Sequence, residues 1–194
     1  MDKLFIASNN SHKIGEIKDI LLRNGVDIEI VCPKDLNDTS EPEENGSSFK
    51  ENAYIKAKYY YDKYHLATIA DDSGICIDAF DGGPGIYSAR FLSEYDYVTK
   101  NNIILERMKD ATNRKATFYD VICFINEVGE VNYYEGINEG EISYEQRGTE
   151  GFGYDPIFLI PEYNKTEAEL GQSFKNEHSH RAKALKKWVI DAKK

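Results

Sequence analysis

The feature that most constrains this chain is the way its apolar runs end. Short β-capable runs stop abruptly in polar or acidic turns, and segments of helical periodicity sit between them. Residues 3–8 (KLFIAS) read as a buried strand feeding a loop. HKIGEIKDILLRNG follows, with Ile14, Ile17 and Leu21 at helical spacing and Gly25 as a stop. Residues 27–31 alternate as a second strand, and a polar stretch over 33–45 crosses the surface. Ser48 with Glu51 matches a capping box and opens a helix whose Phe49, Ala53, Ala57, Tyr60 and Tyr64 share a face. Strand-like residues 66–70 run into Asp71-Asp72-Ser73-Gly74, and 75–80 alternate as a further strand. Gly82-Gly83-Pro84-Gly85 is a loop, and 101–109 read as a helix. A hairpin is expected between 116–125 and 131–134, then a strand over 157–160 and a closing helix over 181–192. Interleaved strands and helices define the α/β class, and the hairpin calls for a mixed sheet.

Composition sets limits on partners. The 194 residues suit one domain, and 41% hydrophobic content supports a real core. Lys and Arg total 24 against 34 Asp and Glu, a net charge of -10, which argues against a broad surface for nucleic acid or anionic membrane. The sequence holds no apolar run of about 18 residues. Its apolar N-terminal stretch is too short for a signal peptide. Cys32, Cys76 and Cys123 are odd in number and far apart, so they read as apolar fillers in a reducing cytoplasm.

Five segments can carry chemistry. Ser8-Asn9-Asn10-Ser11-His12-Lys13 empties a strand into a helix start, where free amides and Lys13 suit phosphate. Adjacent Asp71 and Asp72 at a strand end would point to opposite sides and split their roles. Glu43 and Glu44 precede a capped helix; a Mg²⁺ site needs only one or two carboxylates completed by phosphate oxygens. Gly151-Phe152-Gly153-Tyr154-Asp155-Pro156 sets aromatics and an acid between glycines. Lys175, His178, His180 and Arg181 cluster at a helix start, where an anion would offset the dipole. Taken singly, each also reads as ordinary structure: a helix cap, an Asx turn, a solvated loop, an apolar plug, a solvated cap.

Together, SNNSHK, EENGSSFKENAYIKA, ADDSG, DGGPGIYSARF, GFGYDPIF and SHRAKAL resemble the inosine triphosphate pyrophosphatase family, in its order and over almost the whole chain. The resemblance implies a single domain over 1–194 with an elongated mixed β-sheet flanked by helices, two lobes and a central cleft. It implies hydrolysis of the α–β phosphate bond of inosine, deoxyinosine and xanthosine triphosphates, with Mg²⁺ and a cytoplasmic homodimer acting on free nucleotides. Carried over, Ser8, Asn9, Asn10, Lys13 and Lys56 would hold the triphosphate, and Glu44, with Glu43 as its competitor, and Asp72 the metal. Asp72 would be the catalytic acid, with Ser73 beside it in the substrate site. Phe152, Gly153, Tyr154, Asp155, Lys175, His180 and Arg181 would contact the nucleotide, with Phe152 and Tyr154 stacking on the base. Arg181 or a backbone amide would donate to a purine 6-oxo group, and Lys175 would add positive charge for the phosphates. The acidic excess would lie outside, at Glu135, Glu139, Glu141, Glu145 and Glu167. A pyrophosphatase for a modified pyrimidine and a nucleotide sensor without turnover are the competing readings; a nucleic-acid module is the weakest.

Overall fold

The computed structural model describes residues 2–194. In chain order the elements are β1 (Lys3–Ile6), α1 (Ser11–Arg23), β2 (Glu29–Val31), α2 (Phe49–Tyr64), β3 (Thr68–Ile77), β4 (Gly83–Pro84), α3 (Tyr97–Arg107), β5 (Lys115–Ile125), β6 (Val131–Ile142), β7 (Phe158–Ile160), β8 (Lys165–Thr166), α4 (Glu167–Leu170), α5 (Gln172–His178) and α6 (His180–Ala192). Hydrogen-bonded neighbours run β2-β1-β3-β5-β6-β7-β8, with β4 on β3. β1 pairs in parallel with β2 and β3, whereas the β3–β4, β6–β7 and β7–β8 pairs are antiparallel, so the sheet is mixed as expected.

The chain forms two compact units. The first holds the residues up to Asp72, Asp120–Gly136 and Arg181–Lys194; the second holds Ser73–Tyr119 and Ile137–His180.

In the first unit, strand alternation sorts two apolar cores. Leu4, Ile6, Ile69 and Ile122 pack with Ile17, Ile20 and Leu21 of α1 and Leu185, Trp188 and Val189 of α6. Phe5, Ala7, Ala70 and Cys123 pack instead with Ala53, Ala57 and Tyr60 of α2. Successive strand residues point to opposite faces, so α1 and α6 cover one face of these strands and α2 the other. Each fully buried Ile or Leu here contributes about 1.5–3 kcal/mol relative to exposure. Asn10 caps α1 by accepting from the amides of His12 and Lys13, and Ser48 caps α2 by accepting from the Glu51 amide. The second half of the expected capping box is shifted by one residue, because the Glu51 carboxylate takes the amide and hydroxyl of Ser47.

The second unit packs Ile75, Ile77, Phe118, Ile142, Tyr154, Ile157 and Phe158 around Ile104 and Met108. Asp96 caps α3 by accepting from the Thr99 amide at 2.8 Å.

Several expectations need correction. Asp71-Asp72-Ser73-Gly74 does not break a strand; β3 runs unbroken through it, placing both acids in mid-strand. β6 continues to Ile142, eight residues past the expected end at Tyr134, and β8, α4 and α5 were not foreseen. These three elements are too short for periodicity to reveal. Glu167, expected outside, is buried at 1% exposure. The three cysteines are unpaired; Cys32 and Cys123 are buried. Among the described residues no helix is long and apolar enough to cross a membrane.

Candidate active site

The alternation that sorts the core also sorts the two aspartates. Ile69 faces α1 and α6, so Asp71 does too; Ala70 faces α2, so Asp72 does too. Asp71 Oδ2 accepts from Lys13 Nζ of α1 at 3.0 Å and from Arg181 Nη2 of α6 at 2.9 Å. Arg181 also pairs with Glu16 of α1 through Nη1. Asp72 Oδ1 lies 3.5 Å from Lys56 Nζ of α2, and the same ammonium is 3.1 Å from Glu44 Oε2. Asp72 Oδ2 is buried and accepts no hydrogen bond.

The two neighbours therefore differ electrostatically. Burial is the largest influence on Asp71 and opposes its charge, but Lys13 and Arg181 outweigh it and hold the carboxyl well below the usual range. At Asp72 burial prevails over Lys56 and Lys13 and pushes the carboxyl up to about 6. Lys56 is held above its ordinary value: burial works against the ammonium, and Asp72, Asp71 and Glu44 more than compensate.

The loop carrying Glu44 is pinned to α2. The Tyr60 hydroxyl donates to the Ser40 carbonyl at 2.5 Å, and Lys63 and Tyr64 both donate to Asp38. Asn9 Nδ2 donates to Glu41 Oε1 at 2.8 Å, joining this loop to the turn after β1. Glu43 is exposed, whereas Glu44 makes the contact to Lys56.

Two cluster members escaped the sequence reading. Glu16 sits three residues after Lys13, one turn along the same helix face. Asp120 lies on β5 in even register with Phe118 and Ile122, so its position among inward apolar residues was a legible signal. Both Asp120 oxygens are buried and accept no hydrogen bond. Burial, then repulsion from Asp71, push Asp120 up to about 8, against the pull of Arg181 and Lys13. Five carboxylates (Glu16, Glu44, Asp71, Asp72, Asp120) thus stand among three cations (Lys13, Lys56, Arg181), leaving two uncompensated negative charges if every acid ionises and one with Asp120 protonated.

Ser8 Oγ accepts from the Asn10 amide at 3.1 Å in the turn after β1, and the other expected residues lie in the second unit. Lys175 Nζ donates to Asp155 Oδ2 at 2.6 Å and sits 4.2 Å from the Phe152 ring centroid. The same Asp155 oxygen accepts the Phe152 amide at 2.9 Å. A Cβ on Gly151 would collide with this carboxylate, and the φ of +78° there is also one that glycine adopts freely. Asn101 donates to the Gly153 carbonyl at 3.1 Å. The His180 ring stacks on Phe118 at 4.7 Å, and Ser73 is half-buried on β3.

Four of the expected residues are engaged within the protein. Tyr154 offers no open face for stacking: it is 5% exposed, its hydroxyl donates to the Ser88 carbonyl, and Tyr97 abuts its ring. Arg181 directs its guanidinium to Asp71 and Glu16. Lys175 is held by Asp155, so its charge is already matched within the loop. The Asn10 side chain occupies the His12 and Lys13 amides that were expected to receive phosphate.

Fold and centre together define an α/β protein with a buried lysine–carboxylate centre that carries excess negative charge. Residues 4–190 match the model of the Ham1 family, and the chain belongs to that family. It is 44% identical over 188 residues to a dITP/XTP pyrophosphatase of Exiguobacterium sibiricum, covering 95% of this chain and 94% of that protein. It is also 44% identical over 186 residues to a dITP/XTP pyrophosphatase of Leptospira interrogans, covering 94% of this chain and 93% of that one. Its fold matches a HAM1 protein from Coxiella burnetii with a TM-score of 0.89 at 35% identity, covering 100% of this chain and 99% of that one.

Proposed function

We propose that this chain is a nucleoside triphosphate pyrophosphohydrolase that clears noncanonical purine nucleotides. It cleaves the α–β phosphate bond of inosine, deoxyinosine and xanthosine triphosphates: water supplies an oxygen, and monophosphate and pyrophosphate leave. The observation that carries this reading is the unpartnered Asp72 Oδ2 in a cluster short of positive charge. The resemblance to the inosine triphosphate pyrophosphatase family and the two relatives named dITP/XTP pyrophosphatase agree with it.

The donor set fits Mg²⁺. Glu44 and Asp72 flank one ammonium and Asp72 Oδ2 has no donor, so two carboxylates are on offer and water and phosphate would supply the rest. Glu44 and Asp72 would hold the ion, which would neutralise phosphate charge and polarise the reacting oxygens. Lys56, already between these carboxylates, offers its ammonium to phosphate oxygens. Lys13 supplies the second positive charge and stays oriented by Asp71. Asp72 takes the proton of the attacking water on Oδ2, the oxygen that no donor of the centre occupies.

Phe152, Gly153, Asp155, Lys175 and His180 contact the nucleoside part, with Phe152 as the stacking ring. Since the Arg181 fork is held by carboxylates, the purine 6-oxo group is read by backbone amides. A site that donates a hydrogen bond there rejects the 6-amino group of adenine by roughly 10⁴ or more. The domain is read as 1–194, working as a cytoplasmic homodimer on free nucleotides rather than on nucleic acid or membrane, in keeping with the net charge of -10. Pyrophosphate release from a panel of common and noncanonical triphosphates, with and without Mg²⁺, tests the whole reading. Release from inosine and xanthosine triphosphates only with Mg²⁺ is expected; equal release from ATP, or none from any triphosphate, would overturn it.

A further inference from the structure

Glu167 opens α4 and has no part in the reaction described above. It is 1% exposed, an unusual place for a carboxyl unless it is paired or neutral. Its Oε1 accepts from Asn138 Nδ2 of β6 at 2.7 Å. Its Oε2 is buried and receives no donor. The group beside it is the Asp155 carboxyl, within hydrogen-bonding reach. Asp155 is an acceptor as well, already serving Lys175 and the Phe152 amide.

Two buried acceptors in contact need a proton between them. Asp155 has the ammonium and the amide to stabilise its charge, so the proton belongs to Glu167. With Oε1 facing an N–H donor, Oε2 carries it. Asn138 then donates to Glu167 and Glu167 to Asp155, which also accepts from Lys175 and the Phe152 amide, and the network is satisfied and neutral. With Glu167 ionised, two carboxylates would share one lysine in a dry site.

We propose that Glu167 is a positioning residue for the nucleotide loop: its carboxyl donates from Oε2 to Asp155 and thereby fixes Lys175 and the Phe152 ring. This rests on the reading that the Phe152–Asp155 loop contacts nucleotide.

Burial first, then the Asp155 charge, pushes Glu167 up to about 8, with Lys175 pulling the other way. The surroundings from other elements are few. Asp155 faces it from the one-turn helix Asp155–Ile157, Lys175 from α5 and Asn138 from β6. β7 contributes only Phe158, Leu159 and Ile160, and Lys165 of β8 is exposed. On its own helix, Glu169 is taken by the Thr166 amide and Arg147. Loss of the Glu167 proton should therefore loosen the loop as pH rises through about 8.

The test compares the parent with Glu167→Gln and Glu167→Leu, reading KM and kcat for inosine triphosphate and Kd for inosine monophosphate by calorimetry across pH. In the parent, KM and Kd should climb above about pH 8 with kcat changing less. Glu167→Gln keeps a donor that cannot ionise, so it should match the parent at neutral pH and lose the alkaline climb. Glu167→Leu leaves Asp155 without that donor and should raise KM and Kd about ten-fold at every pH. The same climb in Glu167→Gln as in the parent overturns the proposal. So does Glu167→Leu binding as tightly as the parent. If the parent releases no pyrophosphate, the functional reading fails; the monophosphate Kd series still decides the role of Glu167. No binding of inosine monophosphate by the parent overturns both.

Discussion

Both units bury acids beside lysines, and the two arrangements are chemically unlike. In the second unit, Lys175 matches Asp155, Asn138 matches one Glu167 oxygen, and a proton settles the contact between the acids. That network is complete by itself. In the first unit, Asp71 is fully matched by Lys13 and Arg181, but Asp72 keeps an oxygen with no donor and shares Lys56 with Glu44. A buried polar atom without a partner is costly, on the order of 1–3 kcal/mol, and persists where a ligand uses it. The contrast separates a centre that waits for charge from a network that holds a shape.

Three substitutions press on this contrast. Asp72→Asn alters the open carboxylate beside Lys56 and Glu44, so pyrophosphate release should fall about 10²- to 10⁴-fold. Nucleotide binding followed by calorimetry should change far less. Turnover near the parent rate would mean that the open oxygen is not where the chemistry occurs. Arg181→Ala strips the matched side of the same strand and leaves Glu16 and Asp71 buried without it. A loss of about 3–5 kcal/mol in denaturant unfolding is expected, because two buried carboxylates each lose a cationic partner. Any surviving activity should drop by equal factors on inosine triphosphate and ATP; a selective loss on the former would restore a base-reading role to Arg181.

The smallest effect concerns Asp120→Asn. The folded value of about 8 lies above the ordinary 3.8, so the native state holds this proton more tightly than the unfolded chain. That contribution to stability is present below about pH 4 and is lost as pH rises through about 8. The parent should therefore lose stability over this window, and the Asn variant should lose less. A Tm difference that stays constant with pH would show that Asp120 is not held protonated.

Much of the fold was legible because it rests on local rules. The strand over 3–8, the helix after it, the Ser48 cap and the hairpin at 126–130 follow from periodicity and cap chemistry. The split between Asp71 and Asp72 also followed from the two-residue repeat of a strand. What resisted was whatever depends on partners distant in sequence. An acid pair followed by Ser-Gly reads as a turn, yet here it continues a strand paired on both sides by other segments. Glu167 reads as surface charge, since nothing adjacent announces that Asn138 and Asp155 will close around it.

The sequence by itself determined the α/β class, the mixed sheet, the family and the set of polar residues that matter, because each is written in spacing and residue type. Only the tertiary structure decided which of those residues are already matched and which stay open. Arg181, Lys175 and Tyr154 meet partners 110, 20 and 66 residues away, and those partners fix where each side chain is held. Asp72 is held open in the same way, by burial and by a lysine shared with Glu44. Burial and charge balance are sums over neighbours in space, and neighbours in space are what a linear chain leaves unsaid until it folds.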